Sequence, residues 1–257
     1  LLSVERKALI EPSRVCLPGN LGIFALLLFC LCPAIAAGAG APESLLITHG
    51  PRELPRIALT FDLCQVPERP SGFDRQIVDF LEREKVAATF FAGGDWLRTH
   101  PEEARRLTVN PRFELGNHSW GHPDLRRLSA GEIAGEIERT EAELIRVAGR
   151  TSRLFRLPFG THTPASLQAA AAQGVRIIQW DVVTGDPDPG MDAAAIIKEV
   201  QRGARNGSII IMHANGRGWH TAEALPQMIA WLRGRGFELV TVSELLGPAP
   251  SSPAGTQ

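Results

Sequence analysis

Ile57-Ala58-Leu59-Thr60-Phe61, followed at once by Asp62-Leu63-Cys64-Gln65, is the stretch that decides the fold. The first five residues form a short apolar, β-branched run of the kind that fills a strand buried on both faces. The next four lack the glycines that shape a dinucleotide-binding turn after the first strand of an open doubly wound sheet. Six further runs of the same type lie downstream: Ala88–Phe91, Phe113–Gly116, Leu154–Leu157, Arg176–Trp180, Ser208–Met212 and Glu238–Val242. Between them stand segments of helical period, Phe73–Glu84, Ser129–Ala148, Thr163–Gln173, Ala193–Ala204 and Thr221–Arg233. Ser129 with Glu132 makes a capping box, and Gly174, Gly203 and Gly236 fall at helix ends. Strand–helix alternation of this length requires parallel strands with helices outside. The expectation is an α/β fold in one domain over 55–246, a distorted (β/α) barrel of about seven parallel strands.

The flanks read differently. Arg6, Lys7 and Arg14 precede the apolar stretch Leu21–Ile35, and Ala34-Ile35-Ala36 supplies small residues for cleavage after Ala36. That order is a secretory signal over 1–36, which predicts an exported, periplasmic or extracellular protein with no stable membrane association once the signal is removed. Residues 37–54 are a lead-in, and 247–257, rich in Pro, Ser, Ala and Gly, a disordered tail. Of the four cysteines only Cys64 survives such a cleavage, so no internal disulfide is expected. The remaining chain carries 24 basic against 26 acidic residues. Such a balance offers nucleic acid no general attraction.

Catalytic side chains of parallel α/β barrels gather at the C-terminal ends of the strands. Asp62 follows the first strand, His118 and His122 the third, Arg156–Gly160 the fourth, Asp181 and Asp186 the fifth, and His213 the sixth. In Asn117-His118-Ser119-Trp120-Gly121-His122-Pro123 two imidazoles four residues apart are placed to converge on one side of a helical turn as ligands of zinc or another divalent metal. Trp120 and Trp219 fit a sugar groove or ordinary packing. Cys64 lies beside Asp62 with no histidine adjacent in sequence, which suits packing under the loop better than nucleophilic catalysis.

Five segments in order resemble the motifs of the polysaccharide deacetylases that share the NodB homology domain (carbohydrate esterase family 4). Thr60-Phe61-Asp62 is similar to the first, His118-Ser119-Trp120-Gly121-His122-Pro123 to the second and Arg156-Leu157-Pro158-Phe159-Gly160 to the third; Trp180–Pro187 echoes the fourth and Ile209-Ile210-Ile211-Met212-His213 the fifth. The resemblance covers about residues 55–246. It implies metal-dependent removal of acetyl groups from an N-acetylated glycan, with a divalent metal, zinc by preference, on His118 and His122. Asp62 is then the general base and Arg156 sits against it, holding its orientation and lowering its pKa. The Phe159 N–H donates to the oxyanion, Trp120 borders the substrate, and His213, paired with Asp186 or Asp181, protonates the leaving amine.

The chain departs from the family where the usual second aspartate of the first motif, a metal ligand, is Leu63 and the following glycine is Cys64. Two imidazoles alone hold a metal weakly. Asp62 or Asp74 could complete the set, or the metal site could be lost. The departure leaves a second reading, a glycan-binding or structural barrel without turnover, and a third, a related hydrolase acting on a non-sugar amide. Nothing in the sequence bears on oligomeric state.

Overall fold

The structure, a computed structural model, describes residues 42–65 and 71–248. The signal segment 1–36 and most of the tail lie outside the described residues. Among the described residues nine strands form one sheet: β1 (Leu46–Ile47), β2 (Arg56–Leu63), β3 (Ala88–Ala92), β4 (Phe113–Asn117), β5 (Leu154–Phe155), β6 (Arg176–Ile178), β7 (Val182–Val183), β8 (Ile209–His213) and β9 (Glu238–Val240). Their order is β1-β6-β5-β4-β3-β2-β8-β7, with β9 alongside the first half of β2. Every strand pair is parallel. No pairing joins β7 to β1 among the described residues, so the barrel is curled but open.

The seven strand runs read from the sequence are all present, and β1 and β7 are additional. Two residues each, they are too short to show a period. The helices are α1 (Arg75–Arg83), α2 (Gly94–Thr99), α3 (Pro101–Val109), α4 (Ala130–Ala148), α5 (Pro164–Ala171), α6 (Ala193–Gly203), α7 (Thr221–Gly234) and α8 (Val242–Leu246). Both bonds of the Ser129–Glu132 capping box form, and α4 ends on Gly149 in the left-handed conformation. None of the described helices is long and apolar enough to cross a membrane.

The strand period of two divides β2 between two environments. Ile57, Leu59, Phe61 and Leu63 join a cluster with Ile77, Leu81, Trp96 and Met228 from the surrounding helices. Ala58 instead joins Phe91, Ile178 and Ile209 on the inside of the curl. Thr60 satisfies its hydroxyl there on the Ile210 carbonyl at 2.7 Å. Asp62 continues this inner row at the strand's end. A central strand buried on both faces thus delivers one carboxylate to the mouth of the curl and keeps its neighbours apolar.

Candidate active site

Asp62 faces His213 in register across the β2–β8 pair and Phe91 across β2–β3. Arg156, just past β5, is fully buried and its Nη1 donates to Asp62 Oδ1 at 2.8 Å. The guanidinium lies 3.9 Å over the Phe91 ring and 5.4 Å from that of Trp180, which suits its weak hydration. Burial by itself raises the Asp62 pKa, yet Arg156, His118 and His213 outweigh it and hold the carboxyl below its usual range. Asp62 is therefore an anion at neutral pH, and Arg156 is its counter-ion.

The two histidines converge, but not on a helical turn. His118 leaves β4 with its N–H on the Ala92 carbonyl, and the chain then loops through Ser119 at φ +62° and His122 at φ +58°. Side chains absorb the loop's free donors. Asn117 Oδ1 accepts from the Ser119 N–H, Ser119 Oγ from the His122 N–H, and Glu136 Oε2 from both the Trp120 and Gly121 N–H groups. The rings end 4.8 Å apart, edge to face. The helical expectation fails because these local acceptors favour a loop over an i→i−4 ladder. Asn117 and Glu136 escaped the sequence reading; their partners are backbone groups that no motif displays.

His118 Nδ1 donates to the Arg156 carbonyl at 3.0 Å, which leaves the lone pair on Nε2. That nitrogen is buried, makes no hydrogen bond among the described residues, and faces Asp62 Oδ2 at 3.4 Å. Burial pulls the His118 pKa below its ordinary value and brings that of His122 down to about 3, aided there by His118 and Arg217. Both rings are neutral, the form that coordinates metal. Two buried lone-pair atoms face each other with no hydrogen between them, and a cation is the natural complement. The residues present fit a divalent metal.

His213 Nδ1 meets Asp186 Oδ1 at 3.0 Å, and its backbone N–H donates to Asp186 Oδ2 at 2.7 Å. Thr221 and Thr184 hydroxyls also donate to this buried carboxylate. The loop can close only on glycine at 218, where a Cβ would stand 2.4 Å from the His213 carbonyl and 2.9 Å from Asp186 Oδ2. Asp181 does not reach His213. It binds Arg52 at 2.7 Å, the Ser208 hydroxyl and the Ile209 N–H, tying the start of β8 to the N-terminal segment.

Asp62, His122, Trp180, Asp186, His213 and Arg217 line a cleft of about 220 Å³. A larger groove, about 720 Å³ with Phe113, Leu154 and Arg176, lies where the strands begin and contains no histidine. Phe159, 60% exposed at φ +59°, leans its ring edge to face on His122 at 4.4 Å, at the mouth of the cleft. Trp120 does not line it. Its ring lies against Gly94, where a Cβ would come within 2.3 Å, and the Arg139 guanidinium covers it at 4.1 Å. The space over a glycine on α2 draws that indole into packing. Arg217 is a cleft residue that no sequence motif revealed.

Leu63 is fully buried among the helix-facing residues. Asp74 occupies the N-cap of α1 and is not among the converging ligands. Among the described residues, the groups able to meet at one ion are Cys64 with His118 and His122, their ligand atoms within 4.8 Å of one another. Burial first, and then Asp62, push the Cys64 thiol up to about 12, so it is no nucleophile at neutral pH.

Fold and pocket together define an open parallel α/β barrel with two imidazoles, a carboxylate–guanidinium pair and a carboxylate-held histidine at its strand ends. The chain belongs to the polysaccharide deacetylase family, whose family model matches residues 49–178. It is 34% identical over 193 residues to the peptidoglycan-N-acetylglucosamine deacetylase PgdA of Listeria monocytogenes, covering 75% of this chain and 39% of that one. The chain thus spans about half or less of the length of the curated relatives first matched. The crystal structure of the Bc1960 peptidoglycan N-acetylglucosamine deacetylase superposes with a TM-score of 0.73 at 29% identity, over 80% of this chain and 94% of that one. That of BA3943, a CE4 family pseudoenzyme from Bacillus anthracis, gives 0.70 at 27% identity, over 79% and 69%.

Proposed function

We propose that the chain is a metal-dependent hydrolase removing N-acetyl groups from an extracytoplasmic N-acetylated polysaccharide, peptidoglycan or chitin-like. One observation carries the reading. Asp62, His118, His122, Arg156 and His213 come from four strand ends, and they meet with a buried, unpartnered imidazole nitrogen facing the Asp62 carboxylate. A divalent cation held by His118 and His122, zinc by the preference of imidazole donors, would supply Lewis-acid polarisation of the acetyl carbonyl.

The chain's own residues do the rest. Asp62, kept ionised by Arg156, takes a proton from the water whose oxygen bonds to the acetyl carbon. The Phe159 N–H donates to the carbonyl oxygen as it gains charge. Asp186 accepts from His213 Nδ1, and the imidazolium so held gives its Nε2 proton to the nitrogen as the C–N bond breaks. Acetate and a free amine leave, and the proton held by Asp62 passes through solvent to restore His213. The exposed Phe159 ring and Trp219 offer apolar faces to a sugar. Export is part of the proposal, supported by the signal-like order of 1–36 and by relatives named for peptidoglycan.

A non-catalytic glycan-binding barrel is the second reading. It is favoured by Leu63, buried where the family places a ligand, and by the likeness to a named pseudoenzyme. Metal analysis combined with glycan binding separates the two. The hydrolase reading expects about one divalent ion per chain, lost in His118→Ala, and acetate release lost with it. Glycan binding by a metal-free protein that releases no acetate, even in excess zinc, would establish the other.

A further inference from the structure

We infer that Cys64 is the third protein ligand of the metal, so that this chain holds its ion with a Cys–His–His set in place of the family's carboxylate and two histidines. The inference rests on the metal-dependent reading above and concerns how this sequence fills the position that Leu63 vacates.

Period two in an extended chain sends Leu63 toward the helices and brings Cys64 back to the side of Asp62. Cys64 is 1% exposed, and its Sγ stands within 4.8 Å of the ligand nitrogens of His118 and His122. Zinc bonds of about 2.3 Å to sulfur and 2.0–2.1 Å to nitrogen draw such atoms together by a modest movement of side chains. His118 Nε2 is the independent sign of a ligand, since it is buried, carries its lone pair and has no hydrogen-bond partner among the described residues. Asp62 cannot serve as ligand as readily, because its other oxygen is committed to Arg156.

Two donors stand at the sulfur, and a cation beside it would supply the positive charge that a buried thiolate needs. Asn215 Nδ2 donates to the Cys64 carbonyl at 2.9 Å and reaches Sγ at 3.5 Å, fixing the residue from the loop after β8. The Arg217 guanidinium also stands against the sulfur. Donors of this kind commonly support a ligand from outside the coordination sphere. On coordination the Sγ–H proton passes to solvent and the sulfur lone pair to the metal. A soft ligand beside two imidazoles favours zinc or cobalt over the hard cations that prefer an all-oxygen cage.

The test is Co(II) titration of the full chain, read by absorption, with Zn(II) competition. Wild type is expected to bind one Co(II) and to show a thiolate-to-cobalt charge-transfer band in the near ultraviolet. Cys64→Ser should abolish that band and weaken Co(II) by more than about 100-fold, since even partners outside the coordination sphere cost about 10–100-fold. Cys64→Asp should regain binding without the band. The wild-type spectrum decides the matter even if a variant misfolds. Co(II) bound through His118 with no thiolate band, and with unchanged affinity in Cys64→Ser, overturns the inference and leaves the metal-dependent hydrolase standing. A folded wild type that takes up neither Co(II) nor Zn(II) overturns both.

Discussion

Replacing Arg156 by Met removes a fully buried guanidinium while keeping an apolar stem over Phe91, and it strands Asp62, which is 4% exposed. Breaking one side of a buried ion pair costs about 3–5 kcal/mol, because the remaining charge loses the cation hydrogen-bonded to it. In a domain of this size each kcal/mol moves Tm by about 2–4 °C, so a fall of roughly 6–20 °C is expected for the metal-free protein near neutral pH. The loss should depend on pH with a defined sign. In the native chain the Asp62 pKa lies below its ordinary value, so its contribution is present above about pH 4 and fades only as pH falls through the lowered folded value. Without Arg156, burial dominates and raises that pKa, so the variant's deficit appears as pH rises through the raised value. Denaturant unfolding of both proteins at pH 5 and pH 8 should show the larger difference at pH 8. Adding Asp62→Leu should recover most of the loss, since replacing both partners of a buried pair by apolar groups is often neutral. A deficit below about 1 kcal/mol, or an equal one at both pH values, would refute the role given to Arg156.

Further outcomes follow from the same geometry. Asp62→Asn and His213→Gln should each lower kcat for acetate release by roughly 10²–10⁴-fold, with KM little changed, in steady-state assays on chitin oligomers. Asp186→Asn should act through the orientation of His213, changing kcat and its pH profile while leaving metal content at the wild-type level. Phe159→Ala should raise KM by roughly 3–10-fold at near-constant kcat, as loss of an exposed aromatic face at the cleft mouth. For the metal-free protein, His118 and His122 are buried and neutral with lowered pKa values, so the unfolded chain binds more protons below about pH 6.5. Stability should therefore fall on acidification from there toward the folded values, by about 1.4 kcal/mol per pH unit for each histidine, and denaturant curves of His122→Gln should show a shallower fall.

Much of the fold was legible because buried parallel strands and amphipathic helices write their periods into the sequence. The run Ile209–Met212 and the Ser129–Glu132 box both behave as their composition dictates. Two-residue strands such as Val182–Val183 have no period to read. The convergence of side chains at the candidate site was legible wherever a strand end carried an imidazole or carboxylate, as at Asp62, His118 and His213. It was not legible where position depends on packing across the fold. Trp120 turns into the space over Gly94, and Asp181 is claimed by Arg52, 129 residues away in sequence. Cys64 offered no nearby histidine along the chain, yet β2 and the loop after β4 bring it to two of them. Arg217 lay outside every motif because its value comes from the cleft it borders.

Simultaneous quantitation of acetate and free amine from an N-acetylglucosamine oligomer, treated with the zinc-loaded chain, addresses the main conclusion most directly. The account predicts equal amounts of both products, accumulating over many turnovers and suppressed in Asp62→Asn. Glycan bound by the fully zinc-loaded protein without either product would contradict it.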